Sequence, residues 1–141
     1  MKKIIILTIL LLSGVAGCRQ QSGTLHLTKN GKSDYTIVIP QHPSGEELRA
    51  AEFLKDHLFK ISGCELPVIQ DDDSASNPAI YISKIEEIQS GDGFKISTGG
   101  KNLFISGGNA RGCIYGVSQL LENYLGVRYY SPQFVVIPEN P

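Results

Sequence analysis

The chain has 141 residues, with 13 Lys and Arg against 14 Asp and Glu, a formal net charge of −1. That length gives one domain rather than several, and a charge so close to balance argues against a nucleic-acid partner, which would want a basic stripe. Tryptophan is absent, but six Tyr and five Phe supply aromatic bulk for a core.

Lys2 and Lys3 form a positive n-region, and Ile4 to Leu12 is an apolar run broken only by Thr8. The run is too short to span a hydrocarbon layer of ~30 Å as a stable helix. Val15-Ala16-Gly17-Cys18 follows. Small residues ahead of a cysteine are what a lipoprotein signal peptidase needs, so residues 1–17 are predicted to be a signal peptide and Cys18 the lipidated residue. Each buried CH₂ of that lipid is worth ~0.8 kcal/mol of membrane affinity. Arg19, in place of an aspartate, points to the outer membrane. Arg19-Gln20-Gln21-Ser22 lacks the acidic cluster of an export tether, so the periplasmic and cell-surface sides both stay open. Removal of Lys2 and Lys3 leaves eleven basic and fourteen acidic side chains, formally −3.

Residues 18–32 read as the lipidated N-terminus and tether. Leu25 and Leu27 alternate with His26 and Thr28 as a weak strand, and Asn30-Gly31 is a turn signal. Tyr35 to Ile39 reads as a central strand stopped by Pro40 and Pro43. Ser44-Gly45-Glu46-Glu47 is a capping box. It predicts a helix over 46–61, with Leu48, Ala51, Leu54, Leu58 and Ile61 on one face, widened by Phe53 and Phe59, and with Gly63 as its stop. Leu66 to Ile69 is a second short strand, with Pro67 marking its start or an edge.

Residues 71–78 form a polar loop, and Ala79 to Ser83 a third strand. Residues 93–97 and 102–106 pair as a hairpin across Thr98-Gly99-Gly100-Lys101. In it Phe94 and Ile96 face the core, while Lys95 and Ser97 face water. A second helix, capped by Asn109, carries Ile114, Val117, Leu121 and Tyr124 as its stripe, with Leu120 beside them. Gly112 and Gly116 cost that helix roughly 1 kcal/mol each against alanine, which implies close approach to a strand or loop. Gly126 ends it. Val127 to Tyr130 and Phe134 to Ile137 are short extended segments, and 138–141 is linker-like. The fold class is α/β with α+β character: a mixed, partly antiparallel sheet packed against two main helices, in a domain over 33–137.

Chemistry-bearing patterns are sparse. Asp71 to Asp73 lack the glycine and glutamate positions of a calcium loop. Glu86, Glu87 and Asp92 lie in charged loops, and nothing sets two carboxylates across a glycosidic bond. His26, His42 and His57 stand apart, with His57 on the flank of the first helix, and no serine sits in a nucleophile elbow. Cys64 and Cys113 read as two buried small side chains, with a disulfide as the alternative. No CxxC spacing supports a metal, and no cofactor is indicated. Gly107-Gly108-Asn109-Ala110-Arg111-Gly112 lacks the ending of a phosphate loop and reads as a tight strand-to-helix turn. Arg111 lies in a first helical turn, where the dipole disfavours a cation, so it requires a partner, an internal carboxylate or carbonyl before a substrate.

Gly107 to Val117, then Leu120-Leu121-Glu122 and Leu125-Gly126-Val127-Arg128-Tyr129-Tyr130-Ser131-Pro132, resembles the helix that closes the small N-terminal domain of α-glucuronidases of glycoside hydrolase family 67. It is also similar to the pre-barrel domain of β-N-acetylhexosaminidases and of uncharacterised Bacteroidetes lipoproteins. Ala50 to Leu58 and Ile61 to Val68 match that family's first helix and second strand, so the resemblance covers about 33–137. It implies an α/β accessory domain, with the catalytic carboxylates on a (β/α)₈ barrel beyond Pro141 and none in this chain. Arg111, Tyr115, Tyr129 and Tyr130 are then the ligand or domain-interface candidates.

The leading expectation is a non-catalytic module of a glycan-processing lipoprotein, with the membrane as partner through Cys18 and a barrel packed against it. The alternative is a stand-alone carbohydrate-binding lipoprotein, stacking sugars on Tyr81, Tyr124, Tyr129, Tyr130 or Phe134. A complete small hydrolase is the third possibility.

Overall fold

The computed structural model describes residues 24–71, 78–88 and 91–139. The signal, Cys18 and Asp72 to Asn77 of the polar loop lie outside them. The elements run β1 (Thr36–Ile39), α1 (Gly45–Ser62), β2 (Val68–Gln70), β3 (Ala79–Lys84), β4 (Phe94–Gly99), β5 (Asn102–Gly107), α2 (Ala110–Asn123), β6 (Arg128–Ser131) and β7 (Phe134–Val136). Five strands form a sheet in the order β2-β1-β3-β5-β4, and β6 with β7 makes a separate two-stranded sheet. Strands β2, β1, β3 and β5 pair in parallel, and β4 closes the edge antiparallel to β5. This is the expected mixed sheet with two helices.

Ile37 and Ile39, Ile80 and Ile82, and Leu103 and Ile105 alternate along three neighbouring strands, so they share one face. All six are buried, together with Ala50, Ala51, Leu54, Leu58 and Ile61 of α1 and Cys113, Val117, Leu120 and Leu121 of α2. The opposite face carries Val38, Tyr81 and Phe104 in register, with the last two rings stacked at 5.1 Å.

Local signals placed both helices. The Ser44 hydroxyl accepts the Glu47 N–H at 3.3 Å, and the Glu47 carboxylate accepts the Ser44 N–H at 2.8 Å, completing the capping box. Gly63, at φ 73°, turns α1 off. Asn109 caps α2 by accepting the Gly112 N–H at 2.8 Å. The residues after α2 turn through Gly126, at φ 77°, and the Val127 N–H donates back to the Leu121 carbonyl at 2.9 Å.

Several expectations are corrected. Leu25 to Thr28 is not a strand: the only pairing there is the Lys29–Lys32 bridge around the Asn30-Gly31 turn, and Leu25 and Leu27 instead pack against the core. Leu48 and Phe59 stand exposed, because they sit roughly a third of a turn beyond the stripe centred on Leu54 and Leu58. Tyr124, at the C-cap of α2, is exposed as well. Strands β4 and β5 pair as far as Gly99 and Asn102, so the hairpin turn is two residues, Gly100-Lys101, rather than four. Phe94 packs toward α2 but stays partly exposed on the edge strand.

Glu47 does more than cap. It is 2 % exposed, and its second oxygen accepts the Lys84 backbone N–H at 3.0 Å, joining the start of α1 to the end of β3. Burial by itself would raise this carboxyl. The backbone N–H groups of Ser44 and Lys84, the Ser44 hydroxyl and the Lys84 charge outweigh it and hold the group below the usual carboxylate range.

A carboxyl depressed by folding stabilises the native state at neutral pH, and that contribution disappears as pH falls through its folded value. Glu47→Gln should therefore cost about 1.5–3 kcal/mol at pH 7. The gap to the parent chain should close in strongly acidic solution, as read from denaturant melts across pH. At Gly116 an added Cβ would lie 2.7 Å from Ile105 Cγ2. Gly116→Leu should consequently lower stability by ~1–3 kcal/mol despite its better helix propensity. A more stable leucine variant in the same melts would contradict this packing.

Candidate functional site

An open parallel sheet offers ligands the crevice outside the carboxyl ends of its strands, where successive crossovers diverge. Here the carboxyl ends of β1, β3 and β5 meet the starts of both helices and are bridged by groups of the chain itself, while a depression of about 740 Å³ lies open beyond the ends of β1 and β2. The Glu47 carboxylate occupies the gap between β1 and β3 with both oxygens bonded. On either side of β5's end the Ile85 N–H donates to the Gly107 carbonyl and the Gly108 N–H to the Gly93 carbonyl, each at 2.8 Å.

The glycines of the β5–α2 turn allow this close approach. A Cβ on Gly107 would lie 2.5 Å from the Asn109 carbonyl oxygen, one on Gly108 2.6 Å from the Ile88 carbonyl oxygen, and one on Gly112 2.5 Å from the Gly93 carbonyl oxygen. A side chain at any of the three would strike backbone, and the Gly108 and Gly112 N–H groups are already bonded to the Gly93 carbonyl and the Asn109 side chain. Cys113 is buried against the same turn. Burial first, then the nearby Glu47 charge, pushes its thiol up to about 11, so it stays protonated and a poor nucleophile. Cys113 and the half-buried Cys64 are free thiols.

Arg111 has the internal carboxylate partner the helix dipole called for. Its guanidinium lies 3.5 Å from Asp92, which also accepts a 2.8 Å bond from the Asn109 side chain. Both partners are largely exposed, so the pair contributes little stability. Tyr115, one turn further along α2, is exposed. Among the described residues no group of three or more His, Cys, Asp or Glu is placed to hold a metal ion.

Tyr129 and Tyr130 belong to a different region, the β6–β7 hairpin. Tyr129 packs beside Phe53 and His57 on the flank of α1. His57 Nδ1 lies 2.9 Å from the Phe53 carbonyl, which can only accept, so Nδ1 carries the proton. Nε2 lies within hydrogen-bond distance of the Tyr129 hydroxyl, at 3.2 Å. Burial first, then the Glu122 charge, raises the Tyr129 phenol and keeps it a donor. His57 thus ties the hairpin to α1. Nothing in its local sequence pattern signals this, because its partner is 72 residues away.

The outer side of the hairpin is apolar and uncovered. Tyr130 is 68 % and Phe134 60 % exposed, with Val136 exposed on the Phe134 side; Val135, paired with Tyr129, is exposed at the rim of the other side. The rings of Tyr130 and Phe134 approach to 5.5 Å at a tilt of 35°. A shallow depression of about 560 Å³ runs from Phe53 and His57 past Tyr129 to Tyr130, Val135 and Ile137. Of the four candidates, Tyr129 and Tyr130 therefore share one surface, and Arg111 and Tyr115 share another on α2.

Comparison with known proteins agrees with this picture of a module. Residues 15–126 match the family model described as glycosyl hydrolase family 20, domain 2. Among curated proteins no relative matches. Among solved structures, a GH138 enzyme targeting pectin rhamnogalacturonan II is similar at 24 % identity and a TM-score of 0.52. That similarity covers 73 % of this chain and 11 % of that one, and it shows the fold alone. The GH20 β-N-acetylhexosaminidase from Streptomyces coelicolor A3(2) is similar at 26 % identity and a TM-score of 0.51, over 61 % of this chain and 16 % of that one. The chain thus spans a small fraction of the length of either. It belongs to the domain 2 family of glycosyl hydrolase family 20, a module associated with glycan-processing enzymes.

Proposed function

We propose that this chain is the non-catalytic N-terminal module of a glycan-processing lipoprotein, anchored in the outer membrane through Cys18 and packed against a catalytic (β/α)₈ domain. The observation that carries the reading is the family match joined to the uncovered apolar hairpin of Tyr130, Phe134, Val135 and Val136. Large apolar side chains left exposed close together in this way are ones that a docked domain would cover. The hexosaminidase type stands ahead of the α-glucuronidase type, because the family match is to the former. A flat sugar platform on the hairpin fits less well, since its two outer rings are tilted rather than coplanar.

Glycoside hydrolysis needs two fixed carboxylates flanking the bond. The buried carboxylate here, Glu47, has its oxygens committed to Ser44 and Lys84, and Asp92 is engaged with Arg111 and Asn109. The purified chain should accordingly show no turnover of aryl N-acetylhexosaminides or aryl glucuronosides. Activity abolished by substituting Asp92 or Glu122 would overturn the non-catalytic reading, whereas contaminant activity would survive those substitutions. Cys18→Ala should release the protein from the membrane fraction or leave it unprocessed, and unchanged fractionation would refute the anchor.

A further inference from the structure

We propose that the pole of the domain from which the N-terminal tether leaves rests on an anionic phospholipid surface through Lys29, Lys32 and Lys101. This rests on the lipid-anchor reading above. Asn30 and Gly31 both take positive φ, 53° and 69°, so the chain reverses in two residues. Lys29 and Lys32 exchange backbone bonds of 2.8 and 3.1 Å across that reversal. Directly paired residues project to the same side, and like charges so placed repel. An anionic surface relieves that repulsion.

Lys101 reaches the same place from the β4–β5 turn, where its carbonyl is held by the Tyr35 hydroxyl at 2.7 Å. All three lysines border one depression of about 550 Å³, with Asp34 the acidic group on its rim. Three cations elsewhere have carboxylate partners: Lys55 lies 2.9 Å from Glu65, Lys60 bonds Asp56, and Arg111 pairs with Asp92. Among the described residues none of the three polar lysines has a carboxylate within ion-pair distance. The excess of positive charge at this pole stands out on a chain whose net charge is −1.

The tether supplies the proximity. Thr24 lines the depression, and six chain steps separate it from Cys18. At ~3.3–3.6 Å per residue, the pole lies within about 20 Å of the acylated cysteine.

Lysine-reactive footprinting read by mass spectrometry tests the proposal on the acylated protein. The protein is placed in vesicles of phosphatidylcholine, with or without phosphatidylglycerol. Labelling of Lys29, Lys32 and Lys101 should fall roughly fivefold or more when phosphatidylglycerol is present. It should recover at high salt, while the exposed Lys84 and Lys95 should not change. Equal labelling in both vesicles, with Cys18 acylated, overturns this proposal and leaves the anchor standing. A Cys18 without an acyl group overturns both. Equal protection by a soluble acidic polysaccharide in neutral vesicles overturns the assignment to lipid.

Discussion

A buried carboxylate organises this domain. Glu47 closes the cap of α1 and at the same time holds the last amide of β3, so one side chain sets where the first helix begins relative to the sheet. A carboxylate at 2 % exposure is tolerable only when its hydrogen bonds are made, and here three donors converge on it. Because those donors come from two elements, the arrangement also bridges the start of α1 and the end of β3, where parallel sheets ordinarily receive ligands. The β5–α2 turn adds backbone against backbone at Gly107, Gly108 and Gly112.

The β6–β7 hairpin is the most distinctive surface of the domain. It is tied to α1 through Tyr129 and His57 and leaves Tyr130, Phe134 and two valines uncovered. A two-stranded ribbon gains little from its own pairing and depends on something to lie against. Its inner side has α1, and the proposed barrel would supply the outer side. That division suits a family whose solved relatives are several times longer than this chain.

Much of the fold was legible because its signals are local. Ser44 and Glu47 three residues apart, a 3.6-residue stripe and Gly63 define α1 without reference to anything distant. Asn109, and the glycines that a helix would otherwise avoid, did the same for α2 and its close packing. The partner of Arg111 was legible as a need, from the dipole, though not as Asp92 in particular. What failed was what depends on neighbours. Leu25 and Leu27 alternate like a strand, but no strand pairs with them, and they pack on the core instead. Leu48 and Phe59 are apolar residues whose angular position takes them off the buried face, and Tyr124 lies at the C-cap, where the helix ends. The second bond of Glu47 spans 37 residues and that of His57 spans 72, so neither leaves a periodicity or a motif to read. The order of the strands was invisible for the same reason.

The central claim is that the hairpin, and not the bridged end of the sheet, is the working surface. Replacing Tyr130 and Phe134 by serine, and separately replacing Arg111 by alanine, separates the two. Unfolding temperatures would be measured for the chain alone and for the chain joined to the proposed catalytic domain. The account predicts that the serine pair leaves the isolated chain nearly unchanged and lowers the transition of the joined protein by several degrees, while Arg111→Ala moves neither by much. A serine pair that costs the same in both contexts, or an arginine variant that selectively weakens the joined protein, would contradict it.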